Sequence, residues 1–175
     1  MPRLKPVTDR KPAFAAFIGL LAIYSTTLAP TVTFWDSGEF LAAIHSLGIP
    51  HPPGTPLYVL TANVWAHILS PVLGFARSVN LLSAVSAAAG CALFANLLAR
   101  WTRDPYSGFA AAICAGATSS LWMSATETEV YAPAFFVSAL LIWIANEFLE
   151  TRSNRYLLLL VYVAALGWAL HLTAL

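Results

Sequence analysis

An all-α fold, a polytopic bundle of about five membrane-spanning helices, is what this sequence predicts, and three observations carry the prediction. Of 175 residues, 59% are hydrophobic and only 10% charged, whereas a soluble domain carries about 25% charged residues. Mean hydropathy is +0.72. The basic residues gather in short clusters between long apolar runs, as they do in the loops of membrane proteins. The net charge is +1, so no basic face for nucleic acid is expected. Cys91 and Cys114 both lie inside apolar runs and act there as small hydrophobes. They supply neither a disulfide framework nor a metal-binding spacing. Residues 1–175 read as one membrane domain.

The first predicted span covers Ala13 to Ala29, after the basic segment MPRLKPVTDRKP. A basic start followed by an apolar stretch also fits a signal peptide. However, Pro30 follows Ala29 where cleavage would fall, so an uncleaved span is expected. Residues 30–77 then form a first outer loop, PTVTFWDSGEFLAAIHSLGIPHPPGTPLY and onward. A polar, proline-studded interval of this length rarely serves only as a connection. Within it Asp36–Leu47 and Thr55–Leu73 read as helices. Their apolar stretches are short and interrupted by Asn63, His67 and Pro71, which suits helices lying along the membrane surface.

Span two is expected at Ser78 to Ala99. Ser83 and Ala87, and Ser86 and Gly90, lie four apart and allow close helix approach in a bilayer. Asp104-Pro105 reads as an N-cap followed by proline at the first helical position, opening a third span to Ser124. A second polar interval, ATETEVY, precedes span four at Pro133 to Phe148. Thr126 and Glu129 have the spacing of a capping box. Starting the helix there would put Pro133 in its interior, so a start near Ala132 is expected. Span five begins near Tyr156 and is still apolar at Leu175.

Charge then orients the bundle. Arg3, Lys5, Arg10, Lys11, Arg100, Arg103, Arg152 and Arg155 fall on one side and Arg77 alone on the other. Basic residues mark the cytoplasmic side, so the N-terminus is expected inside. The same assignment places Asp36, Glu39, His51, Glu127 and Glu129 together on the outer face, with His171 near the outer end of span five.

Each of these groups has an ordinary reading beside a chemical one. Asp36 and Glu39 share a helix face and suit general base and partner, yet D-S-G-E is also a capping box. His51-Pro-Pro-Gly54 is stiff enough to hold a histidine over a site, or is simply a rigid loop. Glu127 and Glu129 are free acids or a solvated loop. Arg77 is a phosphate-binding fork or an interfacial anchor. His171 is a functional intramembrane histidine or a packing one. Acids and histidines of this kind leave room for a divalent cation, but no ligand spacing identifies one.

Taken together, FWDSGEF, GIPHPPGTPLY, RSVNLLSA, TETEVYA and GWALHLTAL resemble the transmembrane-protein-260-like protein O-mannosyltransferases, within the GT-C superfamily of polytopic glycosyltransferases. The resemblance runs from about residue 14 to the end, and the WDSGEF and HPPGTPLY pair is its most specific part. It implies a GT-C-like fold and transfer of a mannose-type sugar from a polyprenyl-phosphate donor to a protein or other hydroxyl acceptor. The acidic motif in the first outer loop matches Asp36 and Glu39 as catalytic residues. His51, Arg77, Glu127, Glu129 and His171 are the expected substrate-binding groups. The implied host is the bacterial inner membrane or the endoplasmic reticulum, with membrane lipid, the lipid-linked sugar and a protein or glycan acceptor as partners. Members of the family normally continue through further spans, so this chain is expected to be its N-terminal part. A transporter or flippase of lipid-linked sugars, with carboxylates as coupling groups, is the alternative from another class; an inactive membrane scaffold is a third.

Overall fold

A computed structural model describes residues 10–175. The basic residues Arg3 and Lys5, which enter the charge asymmetry, lie outside the described residues. Among these the chain is helical throughout and without strands, as the composition predicts: α1 (Lys11–Thr26), α2 (Ser37–Ser46), α3 (Pro56–Leu73), α4 (Phe75–Thr102), α5 (Pro105–Gly116), α6 (Ser119–Thr126), α7 (Tyr131–Thr151) and α8 (Asn154–Leu170), with one 3₁₀ turn at Leu172–Ala174.

The central element is α4, which packs against α1, α3, α5, α6 and α7. At 28 residues it is about 42 Å long, enough to cross a bilayer with turns to spare. Its small residues permit these contacts. A Cβ on Gly90 would stand 2.6 Å from the Phe135 ring, and one on Gly108 in α5 would stand 2.2 Å from the Ala95 carbonyl oxygen. Backbone thus meets backbone at the α4–α5 crossing, the close approach that small residues make possible without a hydrophobic driving force. Two buried clusters result. One joins Ala16, Leu20 and Tyr24 of α1 to α4 and α5; the other joins α2, α3, α7 and α8 around Tyr58, Val79 and Ile144.

By length and composition α3, α4 and α7 are able to cross a membrane, and α1 and α8, at 16 and 17 residues, are apolar but shorter. The chain is therefore a helical membrane protein. The segment 55–73, expected as an interrupted helix too short to span, is instead one continuous helix, α3, long and apolar enough to cross because Asn63, His67 and Pro71 do not break it. It turns into α4 through the single residue Gly74, at φ +79°. Its outer face carries Leu60, Val64, Ile68 and Val72, all exposed and each four residues from the next.

The predicted third span is two helices. Asp104 caps α5 as expected, accepting from the Tyr106 and Ser107 amides at 3.1 and 2.9 Å. The helix stops at Gly116, and Thr118 is extended before α6 begins. The run G-A-T-S-S competes with helical hydrogen bonding through its short hydroxyl side chains. Gly116 itself is buried while Ala117 to Ser120 are exposed, and the Tyr24 hydroxyl donates to the Gly116 carbonyl at 2.8 Å, so the one buried carbonyl at the break has a partner. α7 starts at Tyr131, so Pro133 falls in the first turn, as its missing N–H requires. α8 ends at Leu170, which places His171 in extended backbone beyond the helix rather than within a span.

Candidate active site

Asp36 stands at the N-terminus of α2 with φ −78° and ψ −6°, and its side chain makes no bond to the helix. Glu39 does not reach back to it. The capping box that D-S-G-E allows is not formed, and both carboxylates point to other partners. Glu39 accepts the His51 backbone N–H through Oε1 at 2.6 Å and lies 3.0 Å from His51 Nδ1 through Oε2. This double hold fixes both the loop and the ring. His51 Nε2 is then 4.0 Å from Asp36 Oδ2. The ring also packs against Phe40 at a centroid distance of 5.5 Å. Pro52, Pro53 and Gly54 (φ +89°) turn the chain immediately afterwards, with the Gly54 amide donating to the His51 carbonyl at 3.0 Å.

The carboxylate–imidazole–carboxylate chain sets its own charge. Glu39 is held below the usual carboxylate range, first by the hydrogen bond from the His51 ring and then by that from its backbone. His51 is raised, chiefly by the bond to Glu39, with the charges of Glu39, Asp36 and Glu129 adding to it against desolvation. Both shifts favour the paired, charged forms of Glu39 and His51 over what either would show alone. The same three groups are close enough to share a divalent cation, all ligand atoms lying within 4.8 Å of one another. For that the imidazole has to surrender the proton it shares with Glu39, so the cluster suits a hydrogen-bonded relay first and a metal second.

The second acidic segment is brought here by a buried staple. Asn80 of α4, fully buried, donates to the Ala29 and Thr31 carbonyls at 2.9 and 3.3 Å and accepts from the Thr128 hydroxyl. The Ala29 amide donates to the Thr126 carbonyl, and the Thr33 hydroxyl to Glu127 Oε2, both at 3.0 Å. Residues 29–36 and 126–129 are thus tied side by side. Between them opens a cleft of about 480 Å³ walled by Trp35, Asp36, Glu127, Glu129 and Tyr131, with Ser120, Met123 and Ser124 of α6 across from them. Glu129 is half-buried, and its carboxyl is pushed up to about 7, first by burial and then by the charges of Asp36 and Glu127.

The remaining expected groups divide. His171 comes near: its ring lies 5.9 Å from that of Tyr131, and Thr173 donates its amide to Nδ1 at 3.2 Å. Its pKa is lowered, first by burial and then by His51. Arg77 does not join the cleft walls. It is exposed on the first turn of α4 and has no ion pair or side-chain hydrogen bond among the described residues. Asn80, Trp35 and Tyr131 belong to the site or its support and were not among the expected groups. A polar amide within an apolar span is costly, and that signal was available for Asn80.

Comparison with known proteins gives the family. Residues 36–175 match the family described as the protein O-mannosyl-transferase TMEM260 N-terminal domain. The chain is 26% identical over 144 residues to the protein O-mannosyl-transferase tmem260 of Dictyostelium discoideum, an alignment covering 80% of this chain and 18% of the relative. It is 29% identical over 141 residues to protein O-mannosyl-transferase TMEM260 of Mus musculus, covering 81% of this chain and 20% of the relative. The chain thus spans about a fifth of the length of these relatives. No solved structure matches it. With the family match extending over both acidic segments and the helices that join them, the chain belongs to the TMEM260 N-terminal domain family of protein O-mannosyl-transferases.

Proposed function

We propose that this chain carries the acidic catalytic cleft of a protein O-mannosyltransferase, taking mannose from a polyprenyl-phosphate donor at the outer face of the membrane. The observation that carries the reading is the meeting of Asp36, next to the Glu39–His51 pair, with Glu127 and Glu129, about 90 residues away in sequence, around one cleft. Nothing local forces these groups together, and like charges brought close raise one another's pKa. That cost is most often kept where chemistry uses it. The relatives, named as protein O-mannosyl-transferases, support the same class.

In the proposed step the Asp36 carboxylate takes the proton of an acceptor hydroxyl. The hydroxyl oxygen forms a bond to the anomeric carbon on the face opposite the phosphate. The carbon–oxygen bond to the lipid phosphate breaks, and its electron pair leaves on the phosphate oxygen. Configuration at the anomeric carbon is inverted. The developing phosphate charge needs a cation or donor nearby. The cation set beside Asp36 is His51 rather than Arg77, so His51 takes that role here, with Glu39 holding it in place. Glu127 and Glu129 accept hydrogen bonds from sugar hydroxyls.

A flippase reading would want ionisable groups deep in the bundle at interrupted helices. Instead the cleft adjoins Asn80, only five residues into the 28-residue α4, near one end of the bundle. The test is transfer of labelled mannose from polyprenyl-phosphate-mannose to protein hydroxyls, by membranes holding the protein or its Asp36→Asn variant. Transfer that depends on Asp36 supports the reading. Undiminished transfer by the variant removes Asp36 from the mechanism.

A further inference from the structure

Trp35 combines two unfavourable features at one position next to Asp36. Its φ is +60°, a left-handed conformation that bulky side chains rarely adopt. Its side chain is also 88% exposed, so a large apolar ring gains almost nothing from burial. Its indole N–H has no partner among the described residues. Strained backbone of this kind persists only where the surroundings impose it, and it concentrates at ligand clamps. Here the surroundings do impose it: Thr33 is tied to Glu127 on one side, and α2 begins with Ser37 on the other.

The strain turns the ring to the wall of the cleft that holds Asp36, Glu127 and Glu129. A ring serving only as a membrane anchor has no reason to share a wall with three carboxylates. A pyranose fits that wall. Its rim of hydroxyls donates to carboxylates, while its face of C–H bonds is weakly positive and apolar and suits the negative face of an indole. Tyr131, on the same cleft, supplies a second aromatic edge.

We infer that Trp35 is the platform on which the sugar of the donor stacks, selecting a sugar-bearing lipid over the bare lipid phosphate. The inference rests on the transferase reading above and deepens it. The experiment measures binding of polyprenyl-phosphate-mannose and of unglycosylated polyprenyl phosphate to the protein in lipid nanodiscs, for wild type, Trp35→Gly and Trp35→Phe. Glycine removes the ring and is at ease at positive φ, so the fold is not put at risk. Its thermal midpoint is measured alongside and is expected to stay level or rise.

For Trp35→Gly, affinity for the mannosyl lipid is expected to fall about three- to tenfold, the worth of one aromatic stacking partner, with the bare lipid unchanged. Trp35→Phe is expected to recover part of the loss. Equal losses for both lipids would make Trp35 a lipid anchor and overturn the inference. So would unchanged affinity for the mannosyl lipid, and in that case the transferase reading stands. If the wild-type protein binds neither lipid, the transferase reading falls and the inference falls with it.

Discussion

Glu39 holds His51 at two points, accepting from its backbone amide at 2.6 Å and meeting its ring nitrogen Nδ1 at 3.0 Å. A single carboxylate, twelve residues earlier in the chain, thereby fixes the position of the loop and the orientation of the imidazole. The remaining ring nitrogen faces Asp36. This relationship has a measurable electrostatic consequence. The pKa of His51 is raised, so the stability it contributes is fully present below the ordinary histidine value of 6.5 and is lost as pH rises through its folded value. Glu39 is lowered, so its contribution is present above the ordinary carboxylate range and lost as pH falls through its folded value. The pair is intact between those limits. Titration of His51 by NMR should give a pKa above 6.5 in the wild-type protein and a return toward that value in Glu39→Gln. A value at or below 6.5 in the wild type contradicts the pairing.

Glu129 has the linkage opposite to that of Glu39. Its pKa is pushed up to about 7 from an ordinary 4.5, so the folded state binds more protons than the unfolded chain across that interval. Stability contributed by the protonated form is present at low pH and lost as pH rises from 4.5 through 7. Glu129→Gln removes that loss. Its thermal midpoint should exceed that of the wild type at pH 8, by roughly 2–4 °C for an exposure-discounted effect of about 1 kcal/mol. At pH 4 the two should coincide. A lower midpoint for the variant at pH 8 would show that the carboxylate is paired rather than crowded.

Asn80 tests how the two acidic segments are joined. Asn80→Ala removes the donor to the Ala29 and Thr31 carbonyls and the acceptor of the Thr128 hydroxyl, leaving buried groups without partners. A loss of about 2 kcal/mol is expected, the scale of desolvated unpaired polar groups. Sugar-donor affinity should fall as well, because Glu127 is positioned through Thr33 on the same strand of loop. Unchanged stability would mean that the staple contributes nothing.

The membrane orientation is open to direct labelling. In a protein whose Cys91 and Cys114 are replaced by serine, a cysteine at the exposed position Ser46 should react with an impermeant reagent in intact cells. One at the exposed position Thr102 should react only after permeabilisation. Reaction at Thr102 in intact cells reverses the topology and puts the acidic cleft on the cytoplasmic side.

Much of this was legible in the sequence, for identifiable reasons. The apolar runs and the cap at Asp104-Pro105 gave the helices their boundaries, because proline and a capping carboxylate act locally. Pro133 placed the start of α7 for the same reason. The break at Gly116–Thr118 was less visible: an apolar stretch with small residues looks continuous until a distant group, here the Tyr24 hydroxyl, donates to the buried Gly116 carbonyl. Asp36 and Glu39 left two readings open, since the spacing of a capping box is also that of two acids on one face. Only the position of His51 in space decides between them. Arg77 left two readings open, a phosphate-binding fork or an interfacial anchor, and the residue type says nothing of which way the first turn of α4 faces. The left-handed Trp35 has no sequence signature, because strain imposed by its neighbours is not encoded in the residue itself.

The central claim is that Asp36 is a catalytic base within a shared acidic cleft, and mannose transfer by the Asp36→Asn protein tests it most directly. Asparagine keeps the shape of the side chain, and the carboxylate makes no capping bond to α2, so the fold should be retained. The account predicts transfer from polyprenyl-phosphate-mannose by the wild-type protein and a fall of roughly 10²–10⁴-fold in the variant, the range for loss of a general base, with donor binding preserved. Transfer by the variant at the wild-type rate would contradict it.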